Sequence, residues 1–242
     1  MDSVFGSFDD LVAVRPIEHL GCNDLSFDGQ LNPSLRVVED GGASGCGGKV
    51  WIAGELLCEY ILEKTPRDKL LGTILPKDSH CMNNVLELGS GTGIVGLCVS
   101  LLAQQHHFPE EMHVNLTDIG ILVPLMKDNI VVNGVSESTE ATELLWGTPL
   151  TEKHDNIDLV LAADCVYLED AFPLLEDTLL QLTKDSEHQP MILMTYRRRR
   201  KADRKFFQRI KKHFDVVEVT DFARHSQYLK HRTHLFELLR VR

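Results

Sequence analysis

The sequence predicts an α/β fold in which a mostly parallel β-sheet carries helices on both faces. Along most of the chain, apolar runs short enough to be buried strands alternate with longer segments of helical periodicity. A glycine-rich turn at 89–93 links one such strand to the helix after it. Two strand-like segments close the chain one after the other, and they predict an antiparallel addition at one edge of the sheet.

Residues 1–50 precede the periodic core and are expected to form an N-terminal extension, so that the main domain spans 51–242. Within the extension, Asp28 and Gly29 stand between short apolar segments. Because an Asp-Gly pair favours the tight turn that joins two antiparallel strands, residues 25–31 are predicted to form a hairpin.

A glycine-rich joint at 41–48 leads from the extension to Trp51. Two interpretations of the joint remain open: a plain linker, or a mobile lid over a site that includes Trp51. After Trp51, apolar residues recur at helical spacing as far as Glu63, which predicts a helix that packs on the core.

The other core elements follow from the same reading of apolar spacing. Strands are predicted at 84–88, 112–117, 141–146, 157–163, 190–196, 215–220 and 233–240, and helices at 51–63, 94–105, 121–132, 170–183 and 200–212. The third of these helices is followed by Asn133-Gly134, a typical stop signal. No helix is expected between the third and fourth strands or between the last two.

The charge of the chain is negative overall and unevenly distributed. The formal net charge is −11 at pH 7, yet residues 196–213 contain ten lysines and arginines against one acid. The negative balance argues against a general nucleic-acid binder. The negative charge of the rest of the chain is consistent with a basic, lysine-bearing partner surface, or with solubility alone. For the basic run at 197–201 we expect the solvated start of a helix. Binding to a nucleic acid, or contact with an acidic patch on a protein substrate, is the alternative.

No apolar stretch approaches the roughly 18 residues of a membrane helix. The first residues also lack the basic region and apolar core of a signal peptide. We therefore expect a cytoplasmic protein that does not bind membranes.

The glycine-rich turn indicates a nucleoside cofactor. Gly89, Gly91 and Gly93 come at alternate positions after the strand, so the backbone can approach a ligand closely. A dinucleotide-binding fingerprint would need its third glycine at Ile94. The pattern, which begins with Glu87, instead resembles the first motif of class I methyltransferases, whose cofactor is S-adenosylmethionine; a glycine turn without a ligand is the alternative. The expected cofactor contacts in this stretch are Glu87, Gly89, Ser90 and Gly91.

Two further candidates stand at strand ends, and a third is the other tryptophan of the chain. Asp118 ends the second strand, where a carboxylate can accept both ribose hydroxyls of a cofactor; its alternative role is an N-cap. Trp146 closes the third strand, where an aromatic ring can contact adenine, with core packing as the alternative. Trp51 is the only other tryptophan of the chain and is assigned to the same site.

The fourth strand ends in small residues followed by polar ones. Ala163 leaves room for a ligand, and Asp164 and Tyr167 stand where a substrate amine would approach the cofactor. Together with the glycine motif, the sequence Asp164-Cys165-Val166-Tyr167 resembles the Asp-x-x-Tyr signature of the family 16 protein methyltransferases. The resemblance runs from Trp51 through the final strands.

This resemblance implies a Rossmann-like, seven-stranded class I methyltransferase fold with S-adenosylmethionine as cofactor. It implies methylation of a lysine in a folded protein, with Asp164 orienting the amine and Tyr167 lining its channel, and Ala163 among the cofactor contacts. Residues 4–8 and 39–51 resemble the fungal members that act on translation elongation factor 1-alpha, which makes that factor the expected partner. We expect the enzyme to act as a monomer.

Two other functions remain open. One is a methyltransferase for another protein, an RNA or a small molecule, and the other is a nucleotide-binding interaction module without turnover. Nucleic-acid methyltransferases more often carry an Asn-Pro-Pro-Tyr type of tetrad where this chain has Asp164 to Tyr167. The chain contains no HExxH and no GxSxG pattern, so neither a metal site nor hydrolase chemistry is expected.

Overall fold

The computed structural model of the protein describes residues 25–40, 45–66, 69–75, 81–108, 112–184 and 188–241. The strands are β1 (Asn84–Leu88), β2 (His113–Asp118), β3 (Thr139–Glu143), β4 (Leu159–Ala163), β5 (Met191–Arg197), β6 (Phe214–Glu218) and β7 (Thr233–Arg240). The α-helices are α1 (Ile52–Lys64), α2 (Ile94–His106), α3 (Val123–Asn133), α4 (Phe172–Leu182), α5 (Asp203–Ile210) and α6 (His225–Lys230). The motif at 4–8 and residues 41–44 of the glycine-rich joint lie outside the described residues.

Within these residues the strands form one seven-stranded sheet in the order β3-β2-β1-β4-β5-β7-β6. The first five strands pair in parallel, and β7 is antiparallel to both β5 and β6. The predicted fold class is confirmed, including the antiparallel edge. The strand order reverses between β1 and β4, and open α/β sheets bind ligands at such a switch point, outside the carboxyl ends of the strands.

The sheet is covered on both faces, because its central strands carry apolar residues on both sides. Val85 and Leu161 face a core that includes α1, α2 and α3, whereas Leu86 and Val160 face a second core that includes α4 and α5. Strands buried on both sides show continuous apolar runs, which is why the sequence predicts them well. No helix in the described part of the chain is long and apolar enough to cross a membrane.

Two boundary predictions at the sheet edges are wrong. The predicted third strand at 141–146 lies at Thr139–Glu143, because its neighbour β2 ends at Asp118, the residue that pairs with Glu143. Beyond that point no β2 backbone remains to pair with. The last two strands are separated by the short helix α6, whose six residues are too few to show a helical pattern.

The predicted hairpin over 25–31 is also wrong. Phe27, Asp28 and Gly29 adopt the positive φ angles of a tight turn, but residues 25–40 contain no strand. Leu31 and Leu35 are instead buried in the first core, at 1% and 2% exposure. Burial of these leucines draws the segment along α2 and α3, where its backbone bonds to side chains.

Asparagine side chains of α3 hold this N-terminal segment in place. The Asn129 amide accepts the Val38 N–H at 2.6 Å and donates to the Val38 carbonyl at 3.0 Å. It also donates to the carbonyl of Thr92, within the glycine-rich turn, at 3.0 Å. Asn133 forms the same pair of bonds with the backbone of Arg36. Asn129, which is fully buried, therefore links the segment to the turn.

We expect Asn129→Ala to lower the free energy of unfolding by about 1–3 kcal/mol, because it removes the donor to the buried Thr92 carbonyl as well as the bonds to Val38. Urea denaturation at neutral pH measures this loss. The matched control is Asn133→Ala, whose backbone partners at Arg36 are exposed and can bond to water, so its loss should be smaller. Equal losses for the two variants would show that burial of Asn129 does not set its contribution.

Candidate active site

A cavity opens at the carboxyl ends of β1, β2 and β4, at the point where the strand order reverses. All ten residues assigned to the site from the sequence line it: Trp51, Glu87, Gly89, Ser90, Gly91, Asp118, Trp146, Ala163, Asp164 and Tyr167. Other residues, which were not assigned to the site from the sequence, line it as well, among them Cys46, Gly47, Lys49, Cys165, Arg199 and Arg200.

The glycine-rich turn leaves no space for side chains at two of its positions. Gly89 and Gly91 have φ angles of 59° and 57°, in the left-handed region that favours glycine. A Cβ atom on Gly89 would come within 2.9 Å of the Trp146 ring and 3.1 Å of the Cys165 sulfur. One on Gly91 would come within 2.6 Å of the Gly47 carbonyl oxygen. The turn is thus enclosed by Trp146, Cys165 and the glycine-rich joint.

Glu87 and Ser90 stabilise the turn through hydrogen bonds. Glu87 is 1% exposed, and its carboxyl accepts the Gly96 N–H, in the first turn of α2, at 2.9 Å. Burial raises the pKa of Glu87 to about 8, so this carboxyl is mostly protonated at neutral pH. The Ser90 hydroxyl accepts the Thr117 N–H and donates to the Glu87 carbonyl, which joins the ends of β1 and β2.

Asp118 lies at the end of β2 with its carboxylate directed at the turn. One oxygen accepts the Gly91 N–H at 2.8 Å and the other accepts the Ile119 N–H at 2.7 Å. Two bonds leave the carboxylate with free acceptor positions, as ribose hydroxyls would require. The N-cap alternative does not describe this geometry, because the cap position falls at Ile119. Burial raises the pKa of Asp118 to about 6, although the two N–H donors oppose the shift.

The two tryptophans stand at different parts of the cavity. Trp146, just beyond β3, is partly buried against the second core and keeps its ring edge beside Gly89. Trp51 precedes α1, and its indole N–H donates to the Cys46 carbonyl at 2.9 Å. Core packing, the alternative role of Trp146, therefore holds for only part of its ring.

The described part of the glycine-rich joint covers the cavity. Residues Gly45–Gly48 form a 3-10 turn whose Gly47 carbonyl lies against Gly91. The Cys46 thiol is hydrogen-bonded to Tyr167, and burial together with this contact raises the pKa of the Tyr167 phenol far above its usual range. The joint is therefore part of the wall of the cavity, with contacts to both Trp51 and Tyr167.

Asp164 is paired with a residue that the sequence did not identify. It follows β4 with a φ of 61°, a left-handed conformation uncommon for any residue but glycine. The Arg199 guanidinium donates to its two carboxylate oxygens at 2.7 and 2.5 Å. Arg199 falls in the basic run that the sequence assigned to a solvated helix start. For Arg199 that assignment is wrong, because it faces the cavity and α5 begins only at Asp203, whereas Arg197, Arg198 and Lys201 are exposed as expected.

The cavity thus offers a buried carboxylate at one strand end, aromatic and apolar walls, and a carboxylate–guanidinium pair at another strand end. This arrangement suits a nucleoside cofactor on one side and a second, polar reactant on the other.

The chain is similar to known lysine methyltransferases. A protein-family model described as lysine methyltransferase matches residues 30–213. Protein-lysine N-methyltransferase EFM6 of Saccharomyces cerevisiae is 56% identical, with 99% of this chain and 100% of that protein covered. Protein N-lysine methyltransferase METTL21A of Xenopus tropicalis is 31% identical, with 78% of each chain covered. EEF1A lysine methyltransferase 3 of Xenopus tropicalis is 35% identical, with 61% of this chain and 58% of that protein covered.

We expect Asp118→Asn to weaken S-adenosylmethionine binding about 10- to 100-fold, because hydrogen bonds to a charged group contribute about 1.5–3 kcal/mol. In the unchanged protein, affinity should fall as the pH is lowered through about 6, where the Asp118 carboxylate becomes protonated. Isothermal titration calorimetry between pH 5 and pH 8 measures both effects.

Glu140→Gln is the matched control, since Glu140 is an exposed carboxylate on β3 that does not line the cavity. It should bind the cofactor as the unchanged protein does. Unchanged affinity in Asp118→Asn would refute the assignment of the ribose to Asp118.

Proposed function

This chain belongs to the lysine methyltransferase family, and we propose that the protein it methylates is translation elongation factor 1-alpha. The chain is a protein-lysine N-methyltransferase that uses S-adenosylmethionine. The observation that carries the choice of substrate is the likeness to a relative whose name gives EEF1A as the methylated protein. The resemblance of residues 4–8 and 39–51 to the fungal family members that act on this factor supports the same choice. We further propose that the enzyme acts in the cytoplasm as a monomer.

The residues of the cavity fit S-adenosylmethionine. Asp118 would hold the ribose through its free acceptor positions, while Trp146 and the apolar side chains of Ile119 and Leu144 would contact the adenine. Gly89 and Gly91 line the cavity, so the cofactor would lie against the backbone of the turn. When bound, S-adenosylmethionine supplies a methyl group on a positively charged sulfonium.

Asp164 and Tyr167 would receive the lysine side chain. A free lysine has a pKa of about 10.4, so the amine must release its proton to water before its nitrogen can form the new N–C bond. As that bond forms, the bond between the methyl carbon and sulfur would break and leave its electron pair on sulfur. Asp164 would accept a hydrogen bond from the amine and fix its direction, and Tyr167 would line the channel and exclude water. Holding the nitrogen in line with the methyl group supplies much of the acceleration of such a reaction.

The experiment that tests the substrate uses elongation factor 1-alpha purified from cells that lack this enzyme. We expect the enzyme with labelled S-adenosylmethionine to label the factor, and mass spectrometry to map the methyl group to one lysine. Asp164→Asn should lower the rate at least about tenfold, the effect of about 1.4 kcal/mol on the barrier, because it removes the charge that orients the amine. Its affinity for the cofactor should change little.

The same assay on a whole lysate of those cells distinguishes the alternatives. Label in a different protein would mean that the enzyme methylates another protein, and the proposed reaction would be unaffected. Label confined to RNA or small molecules, or full activity in Asp164→Asn, would contradict the proposed role of the Asp164–Tyr167 site.

A further inference from the structure

The contact between Asp164 and Arg199 occupies both oxygens of the carboxylate at the substrate end of the cavity. The two N–H···O distances are 2.7 and 2.5 Å, and the Asp164 and Arg199 side chains are 7% and 20% exposed. Such a bidentate pair is geometrically specific and, at this burial, little screened by water. One of the oxygens, Oδ1, also accepts the Arg197 N–H at 3.3 Å. The other, Oδ2, keeps a second lone pair, so the paired carboxylate can still accept a hydrogen bond from a substrate amine.

Arg199 is held in place by contacts that do not involve Asp164. Its guanidinium lies over the Trp51 ring, 5.6 Å from the centroid, and donates to the Arg197 carbonyl at 3.3 Å. Its backbone N–H donates to Asp203, which also accepts the Arg200 N–H and the Tyr196 hydroxyl. Asp203 is 1% exposed and fixes the loop after β5. The position of Arg199 is therefore set by the loop as well as by its partner.

Other titratable and charged groups surround this pair, and each has a bearing on its charge. Tyr196 belongs to β5, Asp203 begins α5, and Arg200 lies in the loop between them. Cys165 and Tyr167 follow β4, and Glu87 and Asp118 lie at the ends of β1 and β2. Cys46 belongs to the glycine-rich joint and Lys49 follows it. Among the described residues, Arg199 is the cation that contacts Asp164 in an ion pair. Without it, Asp164 would be a buried carboxylate with no neutralising partner.

We propose that Arg199 is a positioning residue that neutralises Asp164, so that the carboxylate orients the substrate lysine without retaining it as an ammonium ion. This inference rests on the proposed role of Asp164. An isolated carboxylate close to an amine favours the charged ammonium form, which has no lone pair for attack. A paired carboxylate still offers an acceptor for the amine N–H, while the positive charge beside it opposes the ammonium form. Arg199 thus acts on the nucleophile through Asp164.

The test is the pH dependence of kcat for Arg199→Gln at saturating cofactor and protein substrate. We expect the rising limb of the profile to move to higher pH by about 1–3 units, the usual effect of one nearby opposite charge. Activity near pH 7.5 should then fall at least about tenfold and recover as the pH is raised. Arg199→Lys keeps the charge and should return the limb most of the way to its original position.

The double variant Asp164→Asn/Arg199→Gln removes both charges and should return the limb to the position of the unchanged enzyme, at a lower rate. Arg198→Gln is the matched control, because Arg198 is an exposed neighbour that does not line the cavity, and its profile should not move. Calorimetric binding of S-adenosylmethionine shows that each variant is folded.

The outcomes separate this inference from the function on which it rests. A loss of activity in Arg199→Gln that is equal at every pH would reduce Arg199 to a structural role and overturn the inference. A limb that stays displaced in the double variant would mean that Arg199 acts on the amine directly, and not through Asp164. Full activity in Asp164→Asn would instead remove the proposed role of Asp164, whatever Arg199 does.

Discussion

The turn from β1 into α2 is the constraint on which the site depends. Its left-handed glycines bring the backbone to the floor of the cavity, and the neighbouring elements close in on the space where side chains would be. Asp118 bonds to the turn from β2, Glu87 holds it to the first turn of α2, and Asn129 connects it through Thr92 to the N-terminal segment. A change at the turn is therefore transmitted to β2, to α2 and to the N-terminal segment.

The electrostatics of the cavity follow from burial of its carboxyl groups. Burial keeps Glu87 mostly protonated at neutral pH, whereas Asp118, with a pKa of about 6, is mostly ionised. Asp164 is already matched by Arg199. Asp118 is thus the carboxylate whose charge is least compensated, and it lies where we propose that the cofactor binds. At the proposed substrate side, the carboxylate of Asp164 is neutralised, as a reaction that needs an uncharged amine requires.

Periodicity predicted the sheet and the strand-end residues because both depend on local sequence. The central strands are buried on two faces and show as apolar runs, and Asp118 and Asp164 follow such runs directly. Arg199 was missed because its partner is 35 residues away, and a run of five basic residues looks the same whether it is solvated or turned inward. The hairpin prediction is wrong for a similar reason. Its turn depends on local sequence, whereas the burial of Leu31 and Leu35 depends on helices that are far away in the chain.

The short distance between Gly89 and Cys165 has a consequence for how this sequence can change over time. The Cys165 thiol donates to the Leu88 carbonyl at 3.1 Å and fills the space beside Gly89. A larger residue at 165 would press on the turn, and a side chain at 89 would press on the segment that carries Asp164 and Tyr167. The glycine motif and the Asp-x-x-Tyr motif, far apart in the chain, are therefore not free to diverge independently, and drift at one limits the substitutions accepted at the other.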